Sequence, residues 1–216
     1  MTPRLLVYTR TTDYRHDSIP DAVDAIRGLG EFTVEHSEDA ADPERPLGGF
    51  AAVVFLSTSG DVLTPAGRER LAEYVESGGG FVGVHAAACT EYGWPYYGEL
   101  LGARFERHPE YQPGKVVVED PGHPATRHLP PVWEFTDEWY DFRSSPRGRV
   151  RVLLRADEAS YEGGGMGTDH PLAWCRRKGS GRVFYTGLGH AADAYRDADF
   201  TAHLGGGIAW AVRLSE

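Results

Sequence analysis

The six residues Ala51-Ala52-Val53-Val54-Phe55-Leu56 are apolar without a break, and they limit the folds open to this chain more than any other stretch. A strand with one wet face alternates apolar and polar residues. A strand apolar at every position is buried on both faces, as in a parallel sheet covered by helices on each side. Leu5 to Tyr8 and Phe81 to Val84 have the same character, and the three runs give out into polar or small residues: Thr9 to Ser18, Ser57 to Gly60, and His85 onward. Helical patterns lie between them. Ile19 to Leu29 carries Pro20 where a first turn accepts it and has Gly28 and Gly30 at its stop. Thr64-Pro65 opens a second helix, with Leu71, Tyr74 and Val75 at spacings of three and four and Ser77-Gly78 at its end. Phe32 to His36 supplies a further strand. Strands separated by helical crossovers predict a doubly wound, mostly parallel α/β sheet with helices on both faces.

From Cys89 onward the pattern is less regular. A short helix around Trp94 to Leu101, strands at Val116 to Glu119 and Val150 to Arg155, and the loops Pro121 to Pro124 and Leu129 to Pro131 predict an irregular insertion around residues 105–170. Phe135 to Phe142 alternates polar and aromatic residues, which fits a half-exposed strand or a structured loop. Gly163-Gly164-Gly165 reads as a tight turn and not as a phosphate cradle, because no P-loop lysine follows it. Arg176-Arg177-Lys178-Gly179-Ser180-Gly181 is hairpin chemistry between Leu172–Cys175 and Val183–Tyr185, and Phe200 to Val212 closes the chain as a helix. Gly205, Gly206 and Gly207 weaken that helix but let it pack closely on the sheet. No linker-like stretch divides the 216 residues, so one domain spanning 1–216 is expected.

Composition excludes several function classes. Twenty-two Lys and Arg against 32 Asp and Glu give a formal charge of −10, which predicts no nucleic-acid partner and no anionic membrane surface. The two cysteines, Cys89 and Cys175, form no CxxC and suggest neither a disulfide framework nor a zinc-thiolate site. No apolar run approaches the roughly 20 residues that span a bilayer, and the N-terminus enters a strand without a leader-like segment, so the bacterial cytosol is the expected location. Nothing in the composition decides oligomeric state.

The residues most suggestive of chemistry are histidines at strand exits. Gly80-Phe81-Val82-Gly83-Val84-His85 ends an apolar strand on an imidazole among small residues, and Thr186-Gly187-Leu188-Gly189-His190 does the same later. In open α/β sheets ligands collect outside the carboxyl ends of strands, and small neighbours let a backbone turn sharply there. The alternative is that His85 is only a strand-end histidine satisfied by a backbone carbonyl.

The blocks Gly80 to His85, His108-Pro109, Asp137-Glu138-Trp139-Tyr140, Pro171 to Trp174 and Gly181 to His190 occur in the order seen in ThuA-like (trehalose utilisation) proteins, and the chain resembles that family from about Arg4 to Val212. The resemblance implies a flavodoxin-like, class I glutamine amidotransferase-like fold. Amidotransferases carry a cysteine nucleophile at the strand exit. This chain has His85 there, so glutaminase chemistry is not expected, and Cys89, four residues on, is expected to be an inert thiol.

If the strands before His16, His85 and His190 run parallel, the three imidazoles share one edge, and the resemblance implies that the block holding Glu138 lines the same cleft. Such a set could hold zinc or a similar divalent metal through His16, His85 and His190, or act without metal as general acid and base, with Glu138 as a fourth catalytic group. Tyr140, Trp139, Asp137 and His108 are candidates for substrate contact. Each has a structural alternative: core packing for Trp139 and Tyr140, loop fixing for Asp137, turn capping for His108. His123 and His128 are expected to be solvated in a proline-rich loop, His170 to flank the cleft or simply begin a strand, and His36 and His203 to be structural. The family link implies a small-molecule carbohydrate, trehalose or a keto-sugar, acted on by a hydrolase, isomerase or lyase. The competing expectation is a non-catalytic sugar-binding or regulatory module.

Overall fold

A computed structural model describes residues 2–215. Among the described residues, nine strands form one sheet in the order β2-β1-β3-β4-β11-β10-β9-β6-β7. These are β1 (Arg4–Tyr8), β2 (Thr33–Ser37), β3 (Ala52–Leu56), β4 (Gly80–Val84), β6 (Gln112–Val118), β7 (Val132–Asp137), β9 (Arg151–Asp157), β10 (His170–Lys178) and β11 (Gly181–Thr186). The first five in spatial order pair in parallel, and the rest extend the sheet antiparallel. Two short strands, β5 (Phe105–Arg107) and β8 (Asp141–Phe142), pair separately beside it.

The unbroken apolar runs become the strands buried at every position, β3 and β4. Helices α1 (Ile19–Gly28) and α4 (Ala198–Ala211) cover one face with Ile19, Val23, Phe200 and Ile208, whereas α2 (Pro65–Glu76) and α3 (Pro95–Leu101) cover the other with Leu71, Tyr74, Leu100 and Leu101. The helix ends follow local chemistry: Thr64 accepts from the Gly67 N–H at the start of α2, and Asp197 from the Phe200 N–H at the start of α4. The glycines of α4 allow the close approach. A Cβ at Gly207 would overlap the Phe184 ring on β11, and one at Gly206 would overlap the Pro124 carbonyl.

The insertion contributes β6, β7 and β9 to the antiparallel half of the sheet, so it is anchored by ladder hydrogen bonds at every strand. The Gly163–Gly167 turn is tied down by two carboxylates: Asp141 accepts from Gly165 N–H, and Glu158 from Met166 and Gly167 N–H. His128 is exposed, as the loop composition suggests, but His123 is not. Only 1% of His123 is accessible, because its Nδ1 accepts from the Ala125 N–H 3.1 Å away and its ring lies against Trp210 of α4. The polar loop around His123 is a tight turn pressed onto a helix, which proline-rich composition alone does not distinguish from a solvated one.

Candidate functional site

The parallel alignment of β1, β4 and β11 brings their carboxyl ends to one edge, and their three trailing segments carry His16, His85 and His190. His85 opens the turn after β4 with φ at +50°, a left-handed conformation that costs a non-glycine residue about 1–2 kcal/mol. Two contacts hold it there. Its carbonyl accepts from the Tyr185 hydroxyl at 3.0 Å, and its Nδ1 lies 2.8 Å from the Gly187 carbonyl oxygen. A carbonyl can only accept, so Nδ1 carries the proton and Nε2 of the neutral ring is left with a bare lone pair. The backbone-satisfied and the cleft-directed readings of His85 therefore describe its two different nitrogens.

Three polar atoms surround that lone pair. The Tyr140 hydroxyl stands 2.9 Å away, His16 Nε2 3.1 Å and Glu138 Oε2 3.5 Å. His190 Nδ1 is 3.1 Å from the same Glu138 oxygen but out of hydrogen-bonding line, and both it and His16 Nδ1 are buried without a hydrogen-bond partner. One ligand atom from each of His16, His85, Glu138 and His190 lies within 4.8 Å of the others.

Burial and the neighbouring His85 and His190 push the His16 pKa down to about 3, which keeps its imidazole neutral. Burial opposes charge on both Glu138 and His190, yet each stabilises the other's ion. The Glu138 carboxyl is held well below its usual range, and His190 is raised. Burial likewise pushes the Cys89 thiol, which lines the cleft, up to about 12. At pH 8 its thiolate fraction is then roughly a thousandfold below that of an ordinary cysteine. Cys89 is expected to resist a disulfide reagent in the native protein and to react at once in denaturant; fast native reaction would contradict the assignment of an inert thiol.

Four residues expected at substrate fall in different places. Tyr140, 2% exposed, lines the cleft and presents its hydroxyl to His85. His108 stands at the mouth, with Nε2 3.5 Å from Glu138 Oε1. Trp139 is turned away: it is fully buried, stacked on Tyr161, and donates from Nε1 to the Gln112 carbonyl. It cannot touch a ligand in the cleft, which corrects the expectation placed on it. Between β7 and β8 adjacent residues point to opposite sides, as in an extended chain. Asp137 is also fully buried and faces backbone, accepting from the N–H groups of Glu138 (2.8 Å), Gly189 (2.7 Å) and His190 (3.1 Å). It fixes the loops that present Glu138 and His190. Behind Tyr140, His170 Nε2 lies 2.9 Å from the Tyr140 carbonyl and Nδ1 2.8 Å from Glu158, so this histidine both begins β10 and braces the cleft wall.

The cleft has a volume of about 460 Å³. Its mouth holds residues that sequence patterns did not single out. Tyr14 sets its ring edge-on to His16 at 4.8 Å and Tyr92 lines the wall, while Tyr111, 5.6 Å from His190, lines a neighbouring groove. They are 64%, 40% and 43% exposed, and they sit in loops where no periodicity marks them. For Tyr14 the one available signal was its place beside His16 in a strand-exit loop.

Known proteins share this frame. A ThuA-like protein from Bacteroides uniformis is 26% identical, with a TM-score of 0.81 over 97% of this chain and 91% of that one. One from Parabacteroides merdae, at 24% identity, has a TM-score of 0.82 over 98% and 90%. A β-galactosidase from Bacillus circulans shares the fold at 13% identity, with a TM-score of 0.63 over 97% of this chain and 31% of the enzyme. No protein of curated function matches. The family ThuA, described as trehalose utilisation, matches residues 4–211, and the chain belongs to it.

Proposed function

We propose that the protein is an enzyme acting on a carbohydrate derivative, with one divalent metal of the zinc type held by His16, His85, His190 and Glu138. The observation that carries this reading is the spacing of the ligand atoms. Donors 2.0–2.1 Å from a tetrahedral ion stand roughly 3.3 Å from one another; three of the six separations here are 3.1, 3.5 and 3.1 Å, and all four atoms lie within 4.8 Å of one another. His190 Nδ1, buried beside Glu138 without a hydrogen-bond partner, fits the same account. Three imidazoles and a carboxylate suit zinc and its first-row neighbours.

With the three imidazoles as ligands and Glu138 turned to proton transfer, a metal here would keep a position open and would supply Lewis acidity toward a substrate carbonyl or hydroxyl. The chain's own residues do the rest. His85 Nε2 has one lone pair, now facing the Tyr140 hydroxyl, so a metal held by that nitrogen would leave the phenol free to donate to a substrate oxygen. His108, at the mouth beside Glu138, is placed to pass a proton between the carboxylate and bound substrate. Tyr14 and Tyr92 offer aromatic faces at the entrance, the surfaces on which sugar rings rest while polar groups hold their hydroxyls. The family's description as trehalose utilisation supports carbohydrate as the substrate class. Hydrolysis, isomerisation and elimination all require a proton moved next to a polarised oxygen, and these groups can serve each.

Elemental analysis of protein purified without chelator or nickel-affinity tag tests the proposal, beside a His85→Ala variant checked for folding. About one zinc, manganese or nickel per chain is expected, falling to background in the variant together with turnover in a keto-sugar screen. Absence of metal from both proteins, with no gain on adding it, would remove the metal-assisted mechanism.

A further inference from the structure

We propose that the sheet edge opposite the histidine cleft carries a second binding site, for a small phosphate-type anion, formed by Arg149, Arg151, Arg176 and Arg177. The groove there has a volume of about 680 Å³ and is lined by these four guanidinium groups together with Arg182, Cys175 and Trp210. Strand register builds it. β9 starts, β10 ends and β11 starts at this edge; Arg151 pairs across from Cys175, and Arg177 directly across from Arg182. Like charges opposite each other on an antiparallel ladder are destabilising, and here they gather in a protein whose formal charge is −10.

The way these arginines are held leaves their charge in place. Many guanidinium groups elsewhere meet carboxylates, as in Arg4 with Glu35, Arg68 with Glu91 and Arg147 with Glu119, while Arg104 and Arg213 meet carbonyls singly and not in a cluster. In the groove, Arg149 donates to the carbonyls of Gly102 and Ser145, and Arg176 to the carbonyl of Glu99. A carbonyl orients a guanidinium without neutralising it. Arg151 does have a carboxylate partner in Asp120, which leaves the cluster strongly positive. Arg176 Nε is buried with no hydrogen-bond partner, and burial and the Arg149 charge together depress the Arg176 pKa. Fixed, incompletely neutralised forks with a donor to spare match the planar, bidentate recognition of phosphate oxygens. A long nucleic acid does not fit the same description, because the acidic remainder of the surface would repel it.

Calorimetric titration of the intact protein with inorganic pyrophosphate at low ionic strength tests the proposal. Saturable binding is expected, weakened at least about tenfold by Arg177→Gln and further by Arg149→Gln with Arg177→Gln, since each charged hydrogen-bonding partner is worth about that factor. Arg177 is exposed, so its single variant keeps the fold, and thermal melting checks that. The His85→Ala variant, altered at the opposite edge, is expected to bind pyrophosphate as the parent does. No saturable binding in the parent, equal binding in the arginine variants, or loss of binding in His85→Ala would each overturn the proposal.

Discussion

Asp137→Ala is expected to lower stability by about 3–5 kcal/mol, because three buried N–H groups lose their acceptor at once and each orphaned donor costs about 1–3 kcal/mol. Its carboxylate is fully buried and accepts from Glu138, Gly189 and His190. Burial raises its pKa, which measures how costly the ion is where it sits. The three N–H groups offset that cost only in part. Function should fail together with stability, since two of those N–H groups belong to proposed metal ligands. Metal affinity is expected to drop by about 10–100-fold, the usual consequence of removing a group that orients ligands. Asp137→Asn should be intermediate, as one of its two acceptors becomes an NH₂ facing backbone donors. Chemical denaturation read beside metal content distinguishes the cases. A variant that melts like the parent and keeps its metal would show that Asp137 does not hold the two loops.

Much of the parallel half was legible because burial on both faces leaves a mark that needs no partner to interpret. β3 begins and ends within one residue of its apolar run, and β4 likewise. The helix-stopping glycines and Thr64-Pro65 fixed the boundaries of α1 and α2 to a similar tolerance. The cleft was less legible, since its parts come from segments more than 50 residues apart that meet only through strand order. Sequence could place His85 and His190 at exits, but not show that Glu138 reaches both. Asp137-Glu138-Trp139-Tyr140 makes the limit plain. Four consecutive residues look equally functional, yet Glu138 and Tyr140 enter the cleft while Asp137 and Trp139 are buried behind it. The four alternate sides as residues of an extended chain do, but residue type does not say which of the two sides is the cleft.

Acidification from pH 7 to about pH 4.5 is expected to remove on the order of 5 kcal/mol of stability, shared between two buried histidines. His123 and His203 grip the same residue. His123 Nδ1 accepts from the Ala125 N–H, and His203 Nδ1 donates to the Ala125 carbonyl at 2.8 Å. Burial above all pushes both pKa values down to about 4, with Arg151 adding to the effect at His123, although the Ala125 bond works against it at His203. The physical reason is visible in the contacts. A proton added to His123 Nδ1 would face the N–H it now accepts, and one added to His203 Nε2 would find no acceptor among the rings of Phe184 and Phe200. In the unfolded chain both titrate near 6.5. The unfolded state therefore binds more protons throughout the window from about 6.5 to 4, so stability is full above the window and falls with pH inside it. His203→Gln keeps a donor for Ala125 and cannot titrate, so it should make the decline about half as steep in urea unfolding between those limits. An unchanged slope would move the acid sensitivity to other groups. Because α4 carries His203 and packs on β11, whose exit leads to His190, the same acid transition should loosen the edge of the cleft at pH values where Glu138, held well below the usual carboxylate range, is still ionised.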